Sequence, residues 1–305
     1  MSVSVSPTIL GVEMPPPSSS EPRPDFLLIG AQKAGTTSLF FDLRNQPGVF
    51  IPDDKELRVL TESDPDQIFR SYKTYFHGAP AESTRGDCST DYAKRTVYPD
   101  VVPNAVACLA PPLKIIYLLR DPIDRLLSHF HHRTNAEDAS LPVGEAIDKW
   151  GDLIDNSRYA FQLEPWIEAY GKDAIKVVFF EDFKQNRLGV VEECCRFLGV
   201  DCHPESVNDK VFNASDGKPR RSSLVGAISG HPVYQKLVRP LAPLRLRLWV
   251  VRIVSRKAAP RQRSVNPALE QRLITALEKD VKQLNEWFLV PQSWRDRYLV
   301  RAGAH

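Results

Sequence analysis

The chain has 305 residues, enough for one large α/β domain or two small ones. Hydrophobic residues make up 42% and charged residues 26%, an ordinary globular balance that excludes a low-complexity or fibrous chain. A net charge of +2 gives no general attraction to nucleic acid, and no apolar run approaches the ~20 residues of a membrane-spanning helix.

The first 24 residues carry six prolines and a Ser18-Ser19-Ser20 run without periodicity, which predicts a disordered leader over 1–24. The N-terminus lacks a basic region followed by an apolar core, so no secretory signal is expected. Cys88, Cys108, Cys194, Cys195 and Cys202 are odd in number and without framework spacing. They read as reduced thiols of a cytoplasmic protein. Cys202-His203 has no companion CxxC pair, so no metal site is expected.

Asp25 to Gln46 reads as a strand, a glycine loop and a helix. Phe26 to Ile29 is a short apolar run of buried-strand length. Gly30 to Thr37 is a tight loop, and Leu39, Phe40 and Leu43 then follow a helical period. Such a unit aims loop N–H groups and a helix N-terminus at an anion. The spacing departs from GxxxxGKS/T, because Thr36 follows Gly35 and the lysine, Lys33, precedes it. Gly30, Lys33, Ala34, Gly35, Thr36, Thr37 and Ser38 therefore form a candidate phosphate cradle. It lacks the lysine position of nucleoside-triphosphate loops.

Asp53 to Leu57 contains Lys55-Glu56, which reads either as an ordinary surface pair or as chemistry near the cradle. Helices are predicted over 64–76 and 99–110, with a polar loop over Gly86 to Tyr92 between them. Lys114 to Leu119 is a second buried strand, ending at Arg120-Asp121-Pro122. Pro122 suits the first turn of a helix. Ligands of open α/β sheets bind at the carboxyl ends of strands, and the planar fork of Arg120 suits a phosphate there. A salt bridge from Arg120 to Asp121 or Asp124 is the competing reading. Ser128 lies two helical turns on and reaches the same ligand only if that helix runs along it. Helices follow over 139–150 and 159–170, then a third strand over 175–180 and a helix over 190–198 closed by Gly199. Strands alternating with helices give an α/β chain.

Residues 217–269 hold twelve Lys or Arg and no acid. Gly217 to Arg221 is a proline-stiffened basic loop suited to an anion. Leu241 to Val254 reads as a helix packed on the domain, or as a basic amphipathic helix in peripheral contact with a membrane surface. Asn266 and Pro267 predict the start of a last helix with an apolar stripe.

The run LLIGAQKAGTTSL resembles the 5′-phosphosulfate loop of sulfotransferases that use 3′-phosphoadenosine-5′-phosphosulfate (PAPS). YLLRDPIDRLLSHF resembles their 3′-phosphate segment, in which an Arg and a Ser eight residues later hold that phosphate. Lys55-Glu56 is similar to the Lys-Glu of the glycan-type and bacterial branches, and GDCSTDY to their acceptor-side loop. Lys218-Pro219-Arg220 resembles the late basic loop that closes over the nucleotide.

The resemblance implies a P-loop-like, three-layer fold: a central parallel sheet flanked by helices. One domain over 25–305 is expected, with a basic helical extension over 222–305. The implied reaction moves a sulfuryl group from PAPS to a hydroxyl or amine of a small-molecule, lipid or glycan acceptor. In it Lys33 stabilises the departing phosphate and Glu56 is the base. Arg120, Ser128, Lys218 and Arg220 hold the cofactor, and Phe212 stacks on the adenine. Leu57-Arg58 stands where glycan enzymes often carry Pro-His, so a polysaccharide acceptor is not implied. Two rivals stay open: a Mg²⁺-dependent phosphotransferase using a nucleoside triphosphate, and a non-catalytic nucleotide-binding protein at a membrane surface.

Overall fold

A computed structural model describes residues 22–109, 112–137, 141–207 and 265–300. Five strands form one parallel sheet: β1 (Phe26–Gly30), β2 (Val49–Phe50), β3 (Thr84–Cys88), β4 (Lys114–Leu119) and β5 (Ile175–Phe179). Their spatial order is β2-β3-β1-β4-β5. The first strand is thus the central one. Phe26, Leu27, Leu28 and Ile29 are buried, as a strand covered on both faces must be. Fully burying each such side chain contributes about 2 kcal/mol.

Helices connect and flank the strands. α1 (Thr36–Arg44) follows β1, α2 (Pro65–Tyr75) and α3 (Val101–Cys108) lie either side of β3 in sequence, and α4 (Pro122–Glu137) follows β4. α5 (Val143–Lys149), α6 (Asp152–Asp155) and α7 (Tyr159–Tyr170) lead to β5, and α8 (Phe180–Gln185) and α9 (Arg187–Leu198) follow it. α10 (Pro267–Trp287) begins where Asn266 caps it, Oδ1 accepting from the Leu269 N–H at 2.8 Å. It packs on α7, and its Asp280 accepts from the Ala160 and Phe161 N–H groups at 3.0 and 2.9 Å.

The strands over 26–30 and 114–119 and the helix over 159–170 fall where the pattern puts them. The helix expected over 139–150 is shorter, 143–149, and that expected from Val190 starts earlier, because the Asn186 side chain accepts from the Gly189 N–H at 3.0 Å. The expectation of a polar loop from Gly86 is corrected. Thr84–Cys88 is an interior strand paired with both β1 and β2. Its sequence, TRGDC, carries no apolar run because its neighbours supply the packing. A Cβ on Gly86 would lie 2.2 Å from the Phe26 ring, so the glycine makes room for a neighbouring strand's aromatic.

No helix among the described residues is long and apolar enough to cross a membrane. All five cysteines are thiols. The predicted amphipathic helix over 241–254 and residues 1–21 of the expected leader lie outside the described residues.

Candidate active site

β1, β4 and β5 are neighbours and parallel, so their carboxyl ends lie side by side. At the first end, Gly30 has φ 152°, and a Cβ there would stand 3.0 Å from the Tyr117 ring and 3.3 Å from Ala93. The chain then turns through Lys33 at φ 73° and Gly35 at φ 101°. Ala31 N–H donates to the Leu118 carbonyl at 2.7 Å, tying the loop to β4, and Ala34 N–H closes it on the Ala31 carbonyl at 3.1 Å.

Gly35 occupies the N-cap of α1 and offers no side-chain cap. Ser38 N–H turns back to the Gly35 carbonyl at 3.0 Å, which leaves the Thr36 and Thr37 N–H groups to lead α1, and the positive end of its dipole lies at the sheet's carboxyl edge. Ala34, Thr36 and Ser38 are buried, while Lys33 and Thr37 are half-buried. This arrangement can receive an anion with backbone, hydroxyl and ammonium donors.

Arg120 follows β4 and is half-buried. It bonds Asp124 at 3.4 Å, so the salt bridge weighed from sequence exists, in a long and partly exposed form. Its guanidinium also lies 5.3 Å from the centroid of Phe180, the first residue after β5. A Cβ on Gly35 would meet that same ring at 3.0 Å. Phe180 therefore connects the two candidate anion sites. Its sequence signal was only the last letter of an apolar run, which hid that the strand stops one residue earlier.

Asp121 is buried, and burial raises its pKa against the opposing pull of Arg297. Its Oδ1 accepts from Ile123 N–H at 3.0 Å, Asp124 N–H at 3.0 Å, Arg297 at 2.9 Å and the Tyr298 hydroxyl at 3.2 Å. That carboxylate is committed to starting α4 and to holding the chain's last described segment. Glu181 adds a second tie, accepting from Asp121 N–H at 3.1 Å and from the Trp294 indole at 3.2 Å. Ser128 is half-buried on α4. It lies six residues into the helix from Pro122, about 9 Å along the axis from the turn that carries Arg120.

Glu56 sits at the end of β3. Its N–H donates to the Cys88 carbonyl at 2.9 Å, and its Oε2 accepts from the Thr90 N–H at 2.6 Å and the Thr90 hydroxyl at 3.0 Å. The Lys55 ammonium bonds the other oxygen. The Glu56 side chain keeps 27% of its surface exposed, so it stays reachable. Ser89 N–H continues the ladder onto the Leu28 carbonyl at 3.1 Å, which sets this carboxylate beside the end of β1.

Beneath it lies Asp87, fully buried. Burial pushes its carboxyl up to about 6, while bonds from Tyr92, Ser89 and Tyr72 pull the other way. Asp91 is also buried and is paired with Lys94 at 2.5 Å and Arg58 at 2.8 Å. Ser89 and Thr90 fall in the GDCSTDY stretch, read from sequence only as an acceptor-side loop without individual roles, and Phe180 was not assigned. Phe212, Lys218 and Arg220, expected at the nucleotide, lie outside the described residues.

A family model described as "Sulfotransferase domain" matches residues 23–228. The chain is 27% identical over 211 residues to the mouse bifunctional heparan sulfate N-deacetylase/N-sulfotransferase 4, covering 64% of this chain and 24% of that protein. It is 26% identical over 214 residues to human bifunctional heparan sulfate N-deacetylase/N-sulfotransferase 3, with the same shares. The chain thus spans about a quarter of the length of these relatives. Among solved structures, a sulfotransferase from Alicyclobacillus acidocaldarius superposes with a TM-score of 0.62 at 22% identity, covering 90% of this chain and 99% of that one.

Proposed function

The chain belongs to the sulfotransferase domain family, and from that premise we propose that it moves a sulfuryl group from PAPS to a hydroxyl or amine of a small-molecule, lipid or glycan acceptor. The observation that carries this reading is the single ring, Phe180, packed against both Gly35 and Arg120. It makes the two anion sites one continuous cradle, which suits a nucleoside bearing phosphate-type groups at both ends.

The local chemistry fits that ligand. The N-terminus of α1, the hydroxyls of Thr36, Thr37 and Ser38, and Lys33 would hold the 5′ end. Arg120 would hold the 3′-phosphate through its planar fork, with Ser128 contributing from α4. Phe212, Lys218 and Arg220 are proposed to close over the nucleotide. PAPS, when bound, supplies the sulfuryl group. Lys33 and the loop N–H groups would stabilise charge growing on the leaving phosphate without a metal.

Glu56 is proposed to take the acceptor's proton. Thr90 fixes one of its oxygens and Lys55 meets the other, so the carboxylate is oriented before the acceptor arrives. The acceptor's hydroxyl or amine would enter from the side where Glu56 is exposed. The names of the curated relatives include N-sulfotransferase activity, which supports keeping amines among the acceptors. The thiol state of the cysteines suits the cytoplasm. We assign residues 25–305 to one domain, supported by the packing of α10 on α7.

The test is incubation with sulfur-labelled PAPS and a panel of alcohols, phenols, amines and sugars, in the presence of a chelator. Labelled product without Mg²⁺ is expected. Phosphoryl transfer from ATP that requires Mg²⁺, with no product from PAPS, would overturn the reading.

A further inference from the structure

Two residues of the Glu56 loop hold left-handed backbone without being glycine: Glu56 at φ 66° and Arg58 at φ 58°. Such a residue is strained and persists only where its surroundings over-determine it. The surroundings are specific. Arg58 N–H donates to the Ser89 hydroxyl at 3.0 Å, and Leu60 N–H donates to the Tyr92 hydroxyl at 3.2 Å. Those two hydroxyls donate in turn to Asp87, Ser89 to Oδ1 at 3.0 Å and Tyr92 to Oδ2 at 2.5 Å. Tyr72 adds a third hydroxyl, donating to Oδ2 at 3.0 Å.

The direction of these bonds explains why an acid is buried here. An ionised carboxylate only accepts, so every hydroxyl around it must spend its proton on Asp87. The oxygens of Ser89 and Tyr92 then present only lone pairs to the loop, where Arg58 and Leu60 offer N–H groups. Among the described residues the side-chain partners of Asp87 are the hydroxyls of Tyr72, Ser89 and Tyr92 rather than a cation, and a buried acid without a cation is costly. A role confined to packing would be met by an apolar residue.

We propose that Asp87 is a positioning residue: through the Ser89 and Tyr92 hydroxyls it holds the backbone of residues 56–60, left-handed at Glu56 and Arg58, and with it the Glu56 carboxylate, at the end of β3. Its catalytic consequence rests on the reading of Glu56 as the base. Asp87 touches neither acceptor nor cofactor in this role. Thr90 orients the carboxylate itself, while the Asp87 network fixes the backbone that carries it.

The experiment uses the full chain. Ser89→Ala and Tyr92→Phe each remove one hydroxyl and leave the buried acid, which avoids the folding risk of changing Asp87. Amide hydrogen exchange reads the positioning directly: Arg58 N–H should exchange faster in Ser89→Ala, and Leu60 N–H in Tyr92→Phe. Release of labelled sulfate from PAPS to water reads the chemistry without an identified acceptor. Each variant should slow it on the order of ten-fold in the parent chain and about two-fold or less in a Glu56→Gln background, because the network acts through Glu56. Calorimetric affinity for 3′-phosphoadenosine-5′-phosphate should be unchanged. Unchanged exchange at Arg58 and Leu60 overturns the positioning, and so does an equal loss of rate in both backgrounds. A parent-like rate in Glu56→Gln alone instead removes the base assignment, and the exchange rates then decide the positioning by themselves.

Discussion

The Arg120 guanidinium lies 5.3 Å from the centre of the Phe180 ring, and the same ring closes on Gly35. An arginine at one strand end is thereby held by an aromatic from the next, and the aromatic is held by a glycine from a third. The three residues follow β1, β4 and β5, whose adjacency the sheet order guarantees.

Removing the ring should loosen both ends of the proposed nucleotide site. Phe180→Ala is expected to weaken 3′-phosphoadenosine-5′-phosphate about ten-fold, the scale of one cation–π contact with its packing. Phe180→Tyr should keep most of the affinity. Titration calorimetry measures both, and an unaltered Phe180→Ala constant would remove the ring from the site.

Lys33→Ala and Glu56→Gln should separate two roles. Lys33→Ala is expected to lower turnover by roughly two powers of ten, the scale of one lost transition-state donor. Glu56→Gln should lower turnover while donor affinity persists. Steady-state rates with any acceptor from the panel check this, and full activity in Lys33→Ala would contradict the loop's assignment.

Gly86→Ala tests the sheet rather than the chemistry. Its Cβ would stand 2.2 Å from the Phe26 ring, between two interior strands. Overpacking of this kind costs about 1–3 kcal/mol or more. A lower urea midpoint is expected, and Phe26→Leu should restore part of it. An unshifted midpoint in Gly86→Ala would show that β1 and β3 separate easily.

Asp280 gives stability a pH dependence. Burial pushes its carboxyl up to about 6 from 3.8, against the pull of the Phe161 and Ala160 N–H groups. Between those values the folded chain keeps a proton that the unfolded chain releases, so this contribution to stability falls as pH rises through the window. Asp280→Asn lacks the titration. The melting temperature of the parent minus that of the variant should therefore shrink from pH 5 to pH 7.5. A difference that is constant or grows would refute the raised value.

The sequence made the frame legible where chemistry and packing coincide. Lys114 to Leu119 is apolar because β4 is covered on both faces, and Gly30 and Gly35 mark backbone that a side chain resists. β3 was illegible for the opposite reason. TRGDC spends its positions on Arg85 pairing with Asp25, on clearance for Phe26 and on Asp87, so no hydrophobic period survives. Glu56 could be singled out by resemblance. Thr90, which fixes its carboxylate from 34 positions away, stood in a stretch that resembled an acceptor-side loop, but nothing local tied it to Glu56.

The ties from Trp294, Arg297 and Tyr298 to Glu181 and Asp121 bear on the order in which the molecule matures. During synthesis the Gly30 to Ser38 loop leaves the ribosome early, while the turn carrying Arg120 waits for partners almost 180 positions downstream. The half of the site read as the sulfuryl end can be shaped while the half read as the 3′-phosphate end is still without its clasp. Domains generally fold as units as the chain emerges. The proposed nucleotide capture would then be a late event in its biogenesis, and shortening the chain ahead of Trp294 should leave a protein whose donor affinity is impaired although every residue proposed to hold the nucleotide is still present.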